Sequence, residues 1–215
     1  MSFKQAIPFL AELQANNRKE WFTENKNRFE AAVQAPALEF VEACGDWFEA
    51  AGLPYRAEPK KSGGSLSRIF RDARFSEDKS PYNSYFFIHF AHKAFPKKVP
   101  GPVLGVRFDS EGVGVGAGLY GGPTPVLNKI RDHIIANPEG WKAATKNLEL
   151  WGDSLKTAPK GYPKEHPLIE DIRRKAFMAS VEVSRQEFES NLLGTFQDRI
   201  PALFPFVEFL REALE

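Results

Sequence analysis

Val103-Leu104-Gly105-Val106-Arg107-Phe108-Asp109-Ser110-Glu111-Gly112-Val113-Gly114-Val115-Gly116-Ala117-Gly118-Leu119 is the stretch that decides the fold class. Two β-prone runs, 103–109 and 112–119, are separated only by Ser110-Glu111. So short a connection closes an antiparallel hairpin, because a parallel crossover needs a dozen residues or more. Upstream, residues 65–70 and 85–92 also alternate as candidate strands. Strands arriving in a run before the next helix predict an α+β fold, an antiparallel sheet with flanking helices around one core.

Helical patterns surround this centre. Asn17 followed by Glu20 fits a capping-box-like start, with Phe22, Phe29 and Val33 recurring at helical spacing behind it. After Pro36, the positions Phe40, Val41, Cys44, Trp47, Phe48 and Ala51 form a second apolar stripe, stopped by Gly52 and Pro54. Helices are expected at 126–136, after Pro123 and Pro125, and at 141–150, after Asn137-Pro138. A Pro/Gly-rich loop at 158–163 precedes a short helix from Pro167, and residues 177–183 alternate as a strand. Ser184 with Glu187 gives another capping box, for a helix carrying Phe188 and Leu192, and a last amphipathic helix covers 201–214.

The 215 residues are 42% hydrophobic and 27% charged, which excludes a disordered or fibrous chain and gives material for a sizeable core. With no repeat and no Gly/Ser/Pro-rich linker, one domain over residues 1–215 is expected. The single Cys44 cannot form an internal disulfide, so a reducing, cytoplasmic setting is expected; on an apolar stripe, its thiol reads as a small hydrophobe. The opening Met1-Ser2-Phe3-Lys4 lacks the apolar core of a secretory signal. Apolar runs such as 86–88 and 113–119 fall far short of the ~20 residues of a membrane-spanning helix, so no membrane partner is expected.

Net charge is +1, yet residues 56–107 hold eleven Lys/Arg against four Asp/Glu, a local +7 that leaves −6 for the remainder. A basic surface suited to an anionic partner is one consequence; solvated charges spread over several faces are the other.

The densest part of that segment is Arg68-Ile69-Phe70-Arg71-Asp72-Ala73-Arg74-Phe75-Ser76-Glu77-Asp78-Lys79-Ser80-Pro81-Tyr82. Guanidinium groups interleaved with aromatics need acceptors if they are buried. On a functional reading, Arg68, Arg71, Arg74 and Lys79 converge on a phosphate or carboxylate, with Asp72 and Asp78 orienting the arginines and Tyr82 offering a hydroxyl. Ser76 offers a second hydroxyl. On a structural reading, the same acids pair with the arginines to fix a strand-to-loop corner, and replacing an arginine destabilises the fold by stranding a buried Asp72. Between two arginines, Asp72 should stay ionised and be a poor general acid.

This run fits R-x-x-R-D-x-R-F-x-x-[DN]-K-x-x-Y and resembles the signature of the bacterial family called domain of unknown function 2461. The matching positions are Arg68, Arg71, Asp72, Arg74, Phe75, Asp78, Lys79 and Tyr82. Asn83 stands where a lysine is more often expected. Further likeness lies in Phe9-Leu10, Asn16-Asn17-Arg18-Lys19-Glu20-Trp21-Phe22, Gly118-Leu119-Tyr120 and Lys160-Gly161-Tyr162-Pro163 to His166-Pro167. The resemblance adds emphasis to these positions and implies no particular reaction.

Other chemistries have weaker anchors. Gly116 to Gly121 formally matches G-x-G-x-x-G, but its upstream run follows a hairpin turn and no acidic strand end follows about 20 residues on, so it reads as a glycine-rich strand. His89, His92, His133 and His166 form no ligand pair, and no metal is expected. His89 and His92 should face opposite sides of their strand, and convergence of His89 on Asp72 or Asp78 is a further arrangement the chain allows. No Walker A sequence or G-x-S-x-G elbow is present, no catalytic residue is specified, and no cofactor is identified. Nucleic-acid binding is the alternative to a small anion. Lys60, Lys61, Lys93, Lys97, Lys98 and Arg107 lie among Tyr55, Phe86, Phe87, Phe90 and Phe95, although a pI near 7.8 is low for such a domain.

Overall fold

The structure, a computed structural model, describes residues 1–74 and 77–215; the readings of Phe75 and Ser76 lie outside the described residues. In chain order the helices and strands are α1 (Ala6–Ala15), α2 (Lys19–Phe29), a π-helical turn (Glu30–Gln34), α3 (Ala35–Ala50), β1 (Tyr55–Arg56), β2 (Tyr85–His92), β3 (Val103–Asp109) and β4 (Val113–Leu119). They continue as α4 (Thr124–Ala136), α5 (Pro138–Thr145), β5 (Leu150–Trp151), α6 (Ile169–Ile172), β6 (Phe177–Val183), α7 (Arg185–Arg199), a 3-10 turn (Ile200–Leu203) and α8 (Phe204–Leu214). The six strands form one antiparallel sheet in the order β1-β2-β3-β4-β6-β5, so the class is α+β.

The hairpin between β3 and β4 closes as its length requires. Asp109 N–H donates to the Gly112 carbonyl, and the Asp109 carboxylate accepts from the Glu111 and Gly112 N–H groups. Along β2 burial alternates residue by residue, and it places half-buried His89 and buried His92 on opposite faces. The glycines of β4 serve close approach of β6: a Cβ on Gly118, at φ +133°, would sit 2.0 Å from the Phe177 carbonyl oxygen.

Three expectations are corrected. Residues 65–70 form no continuous strand. Leu66 bridges Ile88, and Phe70 bridges Tyr82, because the intervening chain leaves the edge of β2. Asn17 does not cap α2, whose N-cap is Arg18 with no side-chain hydrogen bond; the Asn17 amide is taken by the backbone of Tyr82. The helix expected over 141–150 ends at Thr145, and Leu150 and Trp151 pair instead with Ala179 and Met178 of β6. A positive φ of 63° at Asn147 marks the turn between them.

The chain divides into two compact units. The first comprises Met1–Phe90, Gly105–Val115 and Glu182–Asp198. Its interior is phenylalanine-rich: Phe3 meets Phe188 at 4.8 Å, Phe48 meets Phe90 edge-on at 5.0 Å, and Phe40 meets Phe196 at 5.5 Å. Cys44 is fully buried on the α3 stripe, and burial pushes its thiol far above the ordinary range, as befits a packing residue. The stop at Gly52 is a left-handed residue, φ +64°. The Ser184–Glu187 capping box forms at the start of α7: the serine hydroxyl and N–H donate to the glutamate, and the Glu187 N–H donates to the serine oxygen. Asn191, non-helical at φ −154°, interrupts α7, and its side chain accepts from Gly194 N–H as a new first turn begins.

The second unit comprises Ala91–Leu104, Gly116–Val181 and Arg199–Glu215. Trp141 of α5 fills its centre, with Phe209 at 5.2 Å and Phe206 at 5.9 Å from α8 and Phe177 at 6.0 Å from β6. Asn137 caps α5 by accepting from Gly140 N–H, as the Asn-Pro start predicts. Arg131 of α4 is buried and donates to the carbonyls of Ile172 and Arg174 and to the Asn128 side chain. His166 accepts from Leu168 N–H through Nδ1 just before α6. Among the described residues, no helix is long and apolar enough to cross a membrane.

Candidate functional site

The arginine-rich segment lies in the first unit and folds back on itself. Arg71 N–H donates to the Pro81 carbonyl at 2.9 Å and Asn83 N–H to the Ile69 carbonyl at 2.8 Å, with Phe70 opposite Tyr82 between these two rungs. Pro81 can accept but has no N–H to donate, which suits the end of so short a ladder. Two anchors hold it to the rest of the unit. The ring of Tyr82 is buried and stacks on Phe22 at 4.2 Å. The Asn17 side chain reaches across 65 residues, donating to the Tyr82 carbonyl at 2.9 Å and accepting from its N–H at 3.1 Å. A primary amide satisfies both backbone groups at once, which a carboxylate or hydroxyl cannot do with fixed geometry.

The acids organise the loop beyond the rungs. Asp78 Oδ1 accepts from the Ser80 hydroxyl at 2.6 Å and the Ser80 N–H at 2.9 Å, and Oδ2 takes the Arg71 guanidinium. Asp78 thereby ties the outgoing and returning arms together. The Ser80 hydroxyl, its N–H and then Arg71 hold the Asp78 carboxyl down at about 2. Asp72 accepts a two-pronged bond from Arg74, Nε at 2.8 Å and Nη2 at 2.7 Å, and this pairing, with the Arg74 N–H and the charge of Arg68, keeps it below the usual carboxylate range. Lys79 Nζ donates to the Ala73 carbonyl at 3.1 Å.

Both acids and Arg74 are exposed, and Arg71 is half-buried. The Arg74 and Asp72 side chains are 76% and 54% accessible, and Asp78 56%. The acid–arginine pairs that the structural reading expects are present, Asp72 with Arg74 and Asp78 with Arg71, but the expected burial of Asp72 is corrected: water screens these ions, and solvated pairs add little to stability. Tyr82, read as a hydroxyl donor, is an anchor whose burial raises its pKa. Arg68 is exposed. Its carbonyl accepts from the Asn83 side chain at 3.0 Å, while among the described residues its guanidinium has no hydrogen bond or ion pair.

Two depressions open on this corner. One, of about 390 Å³, is lined by Ser67, Arg68, Phe70, Arg71, Asp72, Asn83 and Tyr85. The other, of about 550 Å³, has Asn17, Arg71, Asp78, Ser80, Tyr82 and Asn83 among its walls. Arg71, Asn83 and Tyr85 belong to both. Of the residues singled out in the sequence, Arg68, Arg71 and Asp72 meet at the first depression, and Asp78 and Tyr82 at the second. Arg74 and Lys79 line neither; Arg74 serves Asp72, and Lys79 the loop backbone. Asn17, Ser80 and Tyr85 were not singled out as site residues, and Asn83 only as a departure from lysine. The one signal for Asn17 was the resemblance of the opening segment to the family.

His89 does not join this cluster. It stacks on Phe87 at 5.6 Å, and burial lowers its pKa against the opposing charge of Glu58. Among the described residues, no group of three His, Cys, Asp or Glu side chains is placed to hold a metal. Tyr55, Phe86, Phe90 and Phe95 are buried, so they offer no exposed faces for stacking bases.

Fold and site thus define an α+β protein whose first unit carries a solvent-exposed arginine corner on a two-rung ladder. The chain belongs to the family of conserved hypothetical proteins termed domain of unknown function 2461, matched over residues 5–209. Comparison with curated proteins and with solved structures gave no match.

Proposed function

We propose that the first unit binds a small anionic ligand, bearing a phosphate or carboxylate, in the depression at Arg68, Arg71 and Asn83. The observation that carries this reading is Arg68: its exposed guanidinium borders the depression with no protein acceptor among the described residues, while the neighbouring Asp72 is engaged by Arg74. A guanidinium fork left to water is a ready partner for an oxyanion. Asn83 and Ser67 place further polar groups at the same hollow. The single, buried Cys44 supports a cytoplasmic setting.

Calorimetric titration with inorganic phosphate and small phosphorylated compounds tests the reading. Arg68→Ala should weaken binding by on the order of tenfold or more, the loss of a charge-assisted hydrogen bond, with an unchanged melting temperature. Affinity that survives Arg68→Ala, or no binding by the native protein, would refute it.

A further inference from the structure

The depression at Arg68 has two walls that an anion alone does not use. Phe70 is 63% exposed, the one exposed phenylalanine among the described residues, and Tyr85 is 38% exposed; both border the same hollow as Arg68 and Arg71. Neither ring is loose. Phe70 is fixed by its backbone bridge to Tyr82 and by ring contacts with Tyr82 at 5.4 Å and Phe22 at 6.3 Å. Tyr85 carries the Arg107 guanidinium 4.9 Å from its ring centroid, and Arg107 is itself held by Asp109 at 2.8 Å. Burial elsewhere in this unit absorbs nearly every large ring, so a positioned phenylalanine left in water beside two guanidinium groups is a surface suited to a partner.

We infer that the ligand joins its anionic group to a flat aromatic ring, and that a mononucleotide is its chemical class, the phosphate at Arg68 and Arg71 and the base against Phe70 and Tyr85. The inference rests on the anion-binding reading and adds the ring. A bare phosphate or sugar phosphate would engage the arginines and leave the exposed surface of both rings wet. Bases stack on aromatic side chains whatever their identity, since every base has a π face. The hollow of about 390 Å³ lies within the range that accepts small molecules. Asp72 also borders it, and the two-pronged bond from Arg74 offsets its repulsion of a phosphate.

Calorimetry on the full chain with adenosine monophosphate and ribose phosphate separates the two levels. The native protein should bind adenosine monophosphate roughly tenfold or more tightly than ribose phosphate, the contribution of one stacked base. Phe70→Leu should remove most of that gap and leave ribose phosphate unchanged. Tyr85→Leu carries the same test should Phe70→Leu fail to fold. Equal affinity for the two compounds, or a gap untouched by these variants, overturns the inference and leaves the anion reading standing. Binding of neither compound overturns both.

Discussion

Arginine does opposite work in the two units. In the second, Arg131 is 3% exposed, and its nitrogens go to the carbonyls of Ile172 and Arg174 and to Asn128 at 2.8 to 3.0 Å. Beside it the Tyr162 hydroxyl donates to Asp132 at 2.7 Å, with the ring 5.9 Å from the Arg131 guanidinium carbon. In the first unit, Arg68 and Arg74 at the corner are exposed and Arg71 is half-buried, paired with exposed acids or, at Arg68, with no protein group described. A buried guanidinium must be satisfied by the fold and then belongs to it; an exposed one keeps its capacity for a guest. Residue type alone does not separate structural arginines from candidate binding arginines. Burial does.

The largest effect should come from breaking the buried side of this contrast. Arg131→Met leaves two carbonyls of the α6 region without their donor, a loss of about 3 kcal/mol. Thermal denaturation should show the melting temperature falling by roughly 6 to 12 °C; a fall below that of the corner variants would erase the distinction. Next is Asn17→Ala, which removes both amide bonds to the Tyr82 backbone. It should destabilise by about 1–2 kcal/mol and, unlike Arg68→Ala, weaken ligand binding through displacement of the ladder.

The tyrosine of the second unit gives a smaller, pH-dependent effect. Burial first, and then the hydrogen bond to Asp132, push Tyr162 up to about 12. A raised folded-state value means stability that is fully present below about 10, where the unfolded tyrosine ionises, and lost as pH rises through about 12. Tyr162→Phe should flatten the stability profile across that window in denaturant titrations. The smallest effect belongs to the exposed acids. Asp78, held at about 2, contributes stability above its unfolded value near 4 that disappears as pH falls through 2. Asp78→Asn should leave the melting temperature at neutral pH nearly unchanged, while amide chemical shifts at Ser80 report the loosened turn.

Much of the frame was legible because periodicity and turn length act locally. The two-residue connection at Ser110-Glu111 forces antiparallel pairing, and the Ser184–Glu187 box reads directly as a helix start. The misreadings share one cause. Asn17 looks like a cap and residues 65–70 look like a strand when only near neighbours are considered, yet both answer to partners far along the chain: Tyr82 for the first, and for the second only the isolated pairings with Ile88 and Tyr82.

By itself the sequence determined the α+β class, the core-facing place of Cys44 and the segment in which the candidate site lies, because these follow from spacing along the chain. Only the tertiary structure decided which arginines are buried, that Asp72 stands in water, and that Phe70, Arg68, Asn83 and Tyr85 border one hollow. Exposure and convergence depend on which distant segments meet, and no local pattern encodes that.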